Sequence, residues 1–556
     1  MKKRDLKLGA VLALVLFALG GCGGSSSSTS ATTTTTMAGA TTTTAAATTT
    51  TTAAATTTTT AAATTTTTAA ATTTTTTTTT TQPAQTTTGS TAFGILSTST
   101  SRIAILPTSV GGSSGATGTA NGIELVSLGS LVSSSTKRSV KAASSASSGE
   151  FVPVTFSDGN GPDACSVDSS VLKAVCIELA SAQIVILDLS TYATSGLASD
   201  VVASQLTVSD LPSTQTSFSG VSCTDCGVIT VPGIANNGTA QFVIAGYDGY
   251  HVYNYPAASA TSISATKVYS VPISENLAMD PTTGYLFAPG YYSGVTGGRQ
   301  LYIINLKSGN TYAWTQATDS CNESNATQLT LCQSLAGEEI DSFSVDPATQ
   351  ILTLQSESGN ELLQLDLSQA VYSGSGATGT FTAPHLYVDG QNATGGTEMS
   401  GAISSPAGDY LFIAAEFGDA WVGAATLPAS GGVGNVFPTY TFYPVYVDLT
   451  TLVSTSSSGC TTFKGGYDPH REATAISLSG TQFGVYASGD GTCLAVVNLG
   501  LLAAAPHTVS ANLVDSSYNL VTNGVVTFVP TSSAASTVAS QLRKNYVRHA
   551  KEVHRH

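Results

Sequence analysis

Charged side chains are scarce in this chain of 556 residues, of which only 10% are Asp, Glu, Lys or Arg. Globular proteins usually carry about a quarter. Acidic residues outnumber basic ones, 34 against 19, so the chain has no excess of positive charge for a phosphate backbone. We therefore expect no nucleic-acid binding by the main folded region, and solubility must come largely from Ser, Thr, Asn and Gly.

Helical periodicity is almost absent from residues 93–530, which excludes a helical bundle as the main fold. Short runs of β-branched and aromatic residues occur there instead, separated by Gly, Asn, Asp and Pro. This pattern predicts an all-β domain over residues 93–530. The apolar run at 8–19 is too short to span a bilayer comfortably.

The N-terminal segment has four basic residues before position 8, then that apolar run, which predicts a signal peptide over residues 1–21. The run ends in Leu19-Gly20-Gly21-Cys22 and resembles the lipobox of bacterial lipoproteins. The resemblance implies that Cys22 carries acyl chains such as palmitate and anchors the protein to membrane lipid. Because Gly23 stands where Asp would favour the inner membrane, it also implies the outer membrane or cell surface. A plain secretory signal with a chance cysteine is the alternative.

Residues 22–92 follow as a low-complexity segment, in which AAATTTTT recurs with alanine triplets at 45, 53, 61 and 69. Such a sequence buries too little apolar surface to offset its chain entropy, so we expect a disordered or extended stalk. An uncharged threonine run invites cross-β association. O-glycosylation of the threonines would suppress it, and a bare spacer is the alternative.

Eight cysteines remain after Cys22, an even number that predicts disulfides in an exported protein. Sequential pairing is the simplest connectivity, and the sequence alone does not fix it. Cys223 and Cys226 form a CxxC, for which a structural disulfide, redox chemistry and metal binding all stay open. The four local pairs are Cys165/Cys176, Cys223/Cys226, Cys321/Cys332 and Cys460/Cys493.

One pattern recurs along the all-β region: an apolar strand, a turn, a second strand rich in Leu, Phe and Ala, and a third strand that ends in Asp-Leu or Asn-Leu. Proline presets φ in the Asp-Pro or Ser-Pro turns, and we expect the Asp or Ser side chain to hydrogen-bond the turn backbone. The six units begin near residues 164, 227, 277, 343, 401 and 474.

These units resemble those of seven-bladed β-propellers of the YVTN/NHL-like type, and the resemblance implies a seven-bladed propeller. The seventh unit looks split. Residues 524–530 read as a first strand with nothing after it, whereas 93–100 and 122–128 read as later strands without a first. We therefore predict that 524–530 pairs beside 93–106, so that the N- and C-terminal segments close the ring.

Acidic residues stand just before the first strand of all six units. If the repeat register holds, these carboxylates surround one mouth of the central channel. Converging like charges are unfavourable alone, which suggests Ca²⁺, another hard cation or a cationic ligand as a partner. Solvated loop positions are the alternative. The six acids are Asp163, Asp225, Glu275, Glu339, Glu398 and Glu472.

Two more polar segments are candidates for binding. His470 and Arg471, beside Glu472, could bind a ligand or a metal near the same mouth, or be plain surface. The tail at 531–556 holds five basic residues among its last 14. It could be a solvated tail or a tether to anionic lipid or cell-wall polymer.

Three functions remain compatible with the sequence, and catalysis is not the favoured one. The first is a surface lipoprotein of the cell envelope whose propeller is a binding or scaffolding module for an envelope or extracellular partner. The second is a propeller hydrolase or lyase, lactonase-like, that uses a divalent cation. The third is a structural component of an envelope assembly. Lactonases and lyases exist on this fold, but a fold does not imply its function.

Overall fold

A computed structural model of the chain describes most of the region between residues 94 and 526. The described residues are 94–98, 102–108, 120–128, 150–162, 164–178, 183–211, 227–246, 248–271, 277–289, 300–315, 326, 340–346, 349–356, 361–374, 379–389, 399–405, 410–415, 419–425, 440–449, 463, 473–488, 493–503, 509–515 and 520–526. The signal peptide 1–21, Cys22, the stalk 22–92 and the tail 531–556 lie outside them, so what we predict there stays a prediction.

The described strands form seven sheets of at least four strands each, and successive strands within a sheet are mostly antiparallel neighbours. Sheet 1 holds β1 (Gly94–Ser97), β2 (Arg102–Thr108), β3 (Gly122–Ser127) and β4 (Glu150–Pro153). Sheet 2 holds β5 (Ala164–Asp168), β6 (Lys173–Glu178), β7 (Gln183–Asp188) and β8 (Val202–Val208). Sheet 3 holds β9 (Val228–Val231), β10 (Gln241–Gly246), β11 (Gly249–Asn254) and β13 (Lys267–Tyr269).

The remaining sheets repeat this plan. Sheet 4 holds β14 (Ala278–Asp280), β15 (Tyr285–Pro289), β16 (Gln300–Asn305) and β17 (Thr311–Thr315). Sheet 5 holds β18 (Ile340–Asp346), β19 (Ile351–Ser356), β20 (Glu361–Asp366) and β23 (His385–Asp389). Sheet 6 holds β24 (Met399–Ser404), β25 (Tyr410–Ala415), β26 (Asp419–Ala425) and β27 (Tyr440–Asp448). Sheet 7 holds β28 (Ala473–Leu478), β29 (Thr481–Ala487), β30 (Cys493–Asn498), β31 (Val509–Asp515) and β32 (Leu520–Val526).

Two sheets gain strands from the next sheet's segment of chain. The connection between β11 and β13 contributes β12 (Ser262–Ile263), which pairs in parallel with β8. The connection between β20 and β23 contributes β21 (Val371–Ser373) and β22 (Thr380–Thr382), and β22 pairs in parallel with β17. Sheets 2 and 4 therefore have their outer edges covered, which protects backbone groups that would otherwise template pairing. Helical turns occupy α1 (Tyr192–Ser195) and the 3-10 segments Ala198–Asp200, Gly233–Ala235, Leu367–Gln369 and Gly500–Ala503.

The six units predicted from the sequence correspond to sheets 2–7, and the first segment of each unit is the first strand of its sheet. The predicted turn chemistry is confirmed where the turn is described. Asp280 precedes Pro281, and its Oδ1 accepts hydrogen bonds from the backbone N–H of Thr282 at 2.8 Å and from its hydroxyl. Gly284 ends this turn at φ +80°, and a Cβ there would meet the carbonyl oxygen of Ala235 at 2.0 Å. Only glycine tolerates both conditions.

Apolar side chains from consecutive sheets fill the seams between them, and the described residues form six such buried clusters. The strands are buried on both faces, so they read as nearly continuous apolar runs rather than as strict alternations. Sheets 6 and 7 approach each other closely at Gly484. A Cβ at this position would lie 2.4 Å from the ring of Phe412, so there is no room for a side chain. Between sheets 5 and 6, β24 lies against β18.

The predicted split blade is wrong. β1 pairs only with β2 among its described neighbours and begins a complete sheet of four strands, so it is a first strand rather than a later one. β32 pairs with β31 at the outer edge of sheet 7, not beside residues 93–106. The ring closes by packing instead: Ile95, Leu106 and Val126 of sheet 1 share one buried cluster with Phe483 and Val496 of sheet 7. The short apolar run at 93–98 misled the sequence interpretation because the strand is only four residues long.

Four-stranded sheets packed side by side, with the last against the first, are the architecture of a β-propeller. The fold class inferred from the sequence, an all-β propeller, is therefore confirmed.

Candidate functional site

The two ends of the propeller differ in what the chain places there. We call the end where the first strands begin the entry end; the connections between sheets reach it, as do the turns between second and third strands. The opposite end, the turn end, carries the turns between first and second and between third and fourth strands. A contact between sheets confirms this alignment: the backbone N–H of Ser97, the last residue of β1, donates to Oγ of Ser169, which follows β5, at 2.8 Å.

The six predicted acids all lie outside the described residues, as do His470 and Arg471, so no statement about their side chains is possible. Their positions in the chain are nevertheless fixed by the strands that follow them. Asp163, Glu339, Glu398 and Glu472 immediately precede β5, β18, β24 and β28, and Asp225 and Glu275 stand three positions before β9 and β14. All six therefore belong to the connections that lead into first strands at the entry end.

Three of these connections are long, and the turn end has long connections too, such as residues 128–149 between β3 and β4. The three at the entry end are residues 209–227, 316–339 and 449–472, between the end of one sheet and the first strand of the next. Connections of more than about 15 residues are uncommon and often functional. The same three carry five cysteines: Cys223 and Cys226 in the first, Cys321 and Cys332 in the second, and Cys460 in the third.

The other three of the eight cysteines after Cys22 lie in strands near the entry end. Cys165 and Cys176 face each other across β5 and β6, where they form a disulfide and are fully buried. This confirms one of the four predicted pairs. Cys493 is the first residue of β30, and its side chain is not described. Cys223, Cys226, Cys321, Cys332 and Cys460 lie outside the described residues, so those pairs stay predictions.

A cluster of hydrogen-bonded polar side chains lies at the entry end of the seam between sheets 2 and 3. His251, in β11, is buried, and its Nδ1 lies 3.3 Å from Asp210 Oδ2 and its Nε2 2.6 Å from Asp248 Oδ1. Asp210 also accepts hydrogen bonds from the hydroxyl of Tyr253 at 3.2 Å and from the backbone N–H of Ala265 at 2.8 Å. Burial, then the charge of Asp210, raises the pKa of Tyr253 far above its usual value.

Sequence reasoning missed this cluster, although it carried a signal. The segment from Gly249 to Asn254 follows an Asp-Gly turn signal and alternates side chains between two buried faces. Tyr250 and Val252 face sheet 4, whereas Tyr253 packs in the cluster shared with sheet 2. A histidine on a strand buried on both faces must find polar partners, but no periodicity identifies Asp210, which is 41 residues away.

A small cavity lies in the same seam at the turn end. Its volume is about 80 Å³, and its lining includes Lys173, Asp188, Ser204 and Tyr255. Lys173 Nζ pairs with Asp188 at 3.0 Å. The hydroxyl of Ser190 first, then its backbone N–H and Lys173, lower the pKa of Asp188 to about 2 against some opposing desolvation. A volume of this size has room for ordered water.

Two polar atoms near this cavity are buried without a hydrogen-bond partner, the hydroxyl of Tyr255 and Oδ2 of Asp168. Burial raises the pKa of Asp168, and burial together with the charge of Asp168 raises the pKa of Tyr255 well above its ordinary value. Ordered water is the ordinary partner for such atoms.

In the part of the chain that the structure describes, no group of three or more His, Cys, Asp or Glu side chains is arranged to hold a metal ion. Within the same residues, no helix has the length and apolar character needed to cross a membrane.

Comparison with known proteins returns only solved structures: no protein-family model and no curated protein matches. Saccharomyces cerevisiae Sqt1 is 9% identical, with 79% of this chain and 97% of that chain covered and a TM-score of 0.38. A 6-phosphogluconolactonase described as putative, from Bacteroides uniformis, is 10% identical, with 80% and 98% covered and a TM-score of 0.35. The β-propeller domain of Myceliophteria thermophila Cps50 (Swd1) is 9% identical, with 65% and 85% covered and a TM-score of 0.32. Similarity this low transfers no activity or ligand to this chain.

Proposed function

We propose that this protein is a lipoprotein of the cell envelope, anchored through Cys22 to the outer membrane or cell surface, whose propeller is a binding or scaffolding module. Each of the seven sheets would be one blade, and the entry end would be the binding face. The stalk over residues 22–92 would hold this face away from the membrane, since an extended segment of that length reaches on the order of 200 Å.

The observation that carries this proposal is that the cysteine-bearing connections between strands all lie at one end. Binding residues are commonly found on loops that a rigid scaffold positions. Here the connections 209–227, 316–339 and 449–472 all lead into first strands, and each contains at least one cysteine. Disulfides within such segments would reduce the entropy lost when they bind a partner. The buried Cys165–Cys176 disulfide supports an oxidising compartment.

The six acids give the binding face its chemistry. We propose that Asp163, Asp225, Glu275, Glu339, Glu398 and Glu472 converge at the channel mouth and bind Ca²⁺ or a cationic group of the partner. Their positions one to three residues before six first strands support this arrangement, because first strands line the channel of a propeller. His470 and Arg471, which precede Glu472, would contribute to the same face.

Calcium-dependent melting tests the proposal with a control that matches charge. One variant neutralises Glu339, Glu398 and Glu472 to Gln at the entry end; the control neutralises Asp188, Asp200 and Asp366 to Asn at the turn end. We expect millimolar calcium to raise the melting temperature of the parent and of the control but not of the entry-end variant. Calcium at 100 times its dissociation constant stabilises a one-site protein by about 2.7 kcal/mol. No shift in the parent, or an equal shift in both variants, would refute the cation site.

Capture of a partner tests the wider function. The parent and the same two variants are cross-linked in the native envelope, and the products are identified by mass spectrometry. A partner recovered with the parent and the turn-end control, but lost with the entry-end variant, would support the entry end as the binding face. Recovery with the entry-end variant alone would place the binding face elsewhere.

A further inference from the structure

We infer that two straps of chain tie neighbouring sheets into pairs, so that sheets 2 and 3 open as one unit and sheets 4 and 5 as another. The first strap is residues 255–266, between β11 and β13 of sheet 3, and the second is residues 367–384, between β20 and β23 of sheet 5. Each strap leaves its own sheet after the third strand, pairs in parallel with the fourth strand of the preceding sheet, and then returns.

The first strap is fastened to sheet 2 by backbone and side-chain contacts. The backbone N–H of Ser209, which follows β8, donates to the carbonyl of Ile263 at 3.0 Å, and the Ser209 hydroxyl donates to the same oxygen at 3.1 Å. The backbone N–H of Ala265 donates to Asp210 Oδ2 at 2.8 Å. Ile263 is 9% exposed and belongs to the apolar cluster that sheets 2 and 3 share. Sheet 2 therefore cannot leave the strap without losing hydrogen bonds and apolar burial together.

The same strap is also held to its own sheet. Thr266, its last residue, donates its backbone N–H and its hydroxyl to the carbonyl of Val252 in β11, at 2.7 and 2.9 Å. At its two ends the strap is continuous with β11 and β13, without intervening residues. A short segment fixed in this way leaves little slack, so a displacement of sheet 2 pulls on sheet 3.

The second strap joins sheets 4 and 5 on the same plan. The backbone N–H of Ala313 in β17 donates to the carbonyl of Gly379 at 3.0 Å, beside the parallel pairing of β22 with β17. Tyr372 of the strap stacks on Tyr285 of sheet 4, with ring centroids 4.4 Å apart. Phe381 is 1% exposed in the apolar cluster between the two sheets. Aromatic packing thus adds to the backbone pairing at this seam.

The other seams are held differently. Among the residues that the structure describes, the backbone-to-backbone hydrogen bonds that cross from one sheet to another all belong to the two straps. The seam between sheets 3 and 4 depends instead on apolar packing and on side-chain contacts, such as that of Lys267 Nζ with the carbonyl of Gly309 at 3.3 Å. Proteins open locally in cooperative units, along the boundaries that the fewest interactions cross. We therefore expect the ring to open between the pairs rather than within them.

Native-state hydrogen exchange of the full chain measures this pairing. Ile229→Ala perturbs sheet 3 at a position that is 3% exposed and packs against sheet 4, away from the strap. If sheets 2 and 3 open together, the protection of amides in β7 of sheet 2 and in β10 of sheet 3 should fall by the same factor, at least about tenfold. The protection of amides in β2 of sheet 1 should fall less.

Ile263→Gly tests the strap itself, because it removes the buried side chain and weakens the short strand β12. In this background, Ile229→Ala should still lower the protection of β10 but should no longer lower that of β7. Val268→Gly is the matched control. It makes the same kind of change in sheet 3 outside the strap, at a residue that is 41% exposed, and it should leave the coupling of β7 to β10 intact.

Three results would overturn the inference. An equal loss of protection in β2, β7 and β10 on Ile229→Ala would mean that the ring opens only as a whole. A loss confined to sheet 3 would mean that the sheets open singly. Coupling that survives Ile263→Gly would mean that the strap does not create the pair. If I229A does not fold, Ile229→Val carries the same test with an expected change of about threefold.

Discussion

Two perturbations test whether the ring closes by packing or by strand pairing. The two models predict opposite answers to which perturbation costs more stability. The first deletes everything after Asp515, which removes β32 and the tail. β32 pairs with β31 at the outer edge of sheet 7, so its loss should remove one edge strand and leave the ring intact. The second is Phe483→Ala. Phe483 is 2% exposed in the cluster that joins sheets 7 and 1.

The magnitudes follow from burial. A fully buried Phe truncated to Ala costs about 3–5 kcal/mol, because the cavity is only partly filled by relaxation. Val371→Ala serves as a control because Val371 is 56% exposed, and such surface changes stay within about 0.5 kcal/mol. We therefore expect F483A to destabilise the domain strongly, the deletion to lower stability while preserving one cooperative transition, and V371A to have little effect.

Urea denaturation followed by circular dichroism, with limited proteolysis of the native state, measures these differences. If the deletion mutant no longer gives the circular dichroism spectrum of a β protein, the C-terminal strand does close the ring. A truncated protein that melts cooperatively, together with an F483A variant indistinguishable from the parent, would refute closure through this seam.

Two further predictions concern sheet 2. Replacing both Cys165 and Cys176 with Ala should lower the free energy of unfolding by up to about 3 kcal/mol, since the disulfide closes a loop of 11 residues in sequence separation; urea curves equal to those of the parent would show that the hairpin gains nothing from the bond. Asp188 has a pKa lowered from 3.8 to about 2, first by the Ser190 hydroxyl. Its stabilisation is therefore present above pH 3.8 and lost as pH falls through about 2. In acid titrations of stability, Asp188→Asn should lack this part of the decline and half-buried Asp200→Asn should keep it; equal profiles would contradict the assignment.

Much of the fold was readable from the sequence because its causes are local. Along each strand, side chains are either alternately apolar and polar or continuously apolar over five or six residues. At the turns, Asp280 and Asp346 accept hydrogen bonds from groups two or three positions away. A repeat multiplies such short-range signals, so six first strands were located correctly. The Cys165–Cys176 bond was predictable for the same reason, since the two residues face each other across one hairpin.

The acidic binding face remains a prediction from those same strands. The sequence located its six acids relative to the first strands, but their side chains lie outside the described residues. That these positions belong to one end of the propeller follows only from the shared direction of the first strands, which depends on the assembled sheets.

By itself, then, the sequence determined the all-β class, the repeated unit and the turn chemistry, each of which depends on residues close together in the chain, and it offered the Cys165–Cys176 disulfide as the simplest pairing. Tertiary structure decided how the ring closes and what surrounds His251, because those outcomes depend on surfaces brought together from distant segments. Sheets 1 and 7 pack together although almost the whole sequence of the domain separates them, and Asp210 contacts His251 across the seam between sheets 2 and 3. Burial of apolar area is non-directional, so no short pattern specifies which two faces it will join.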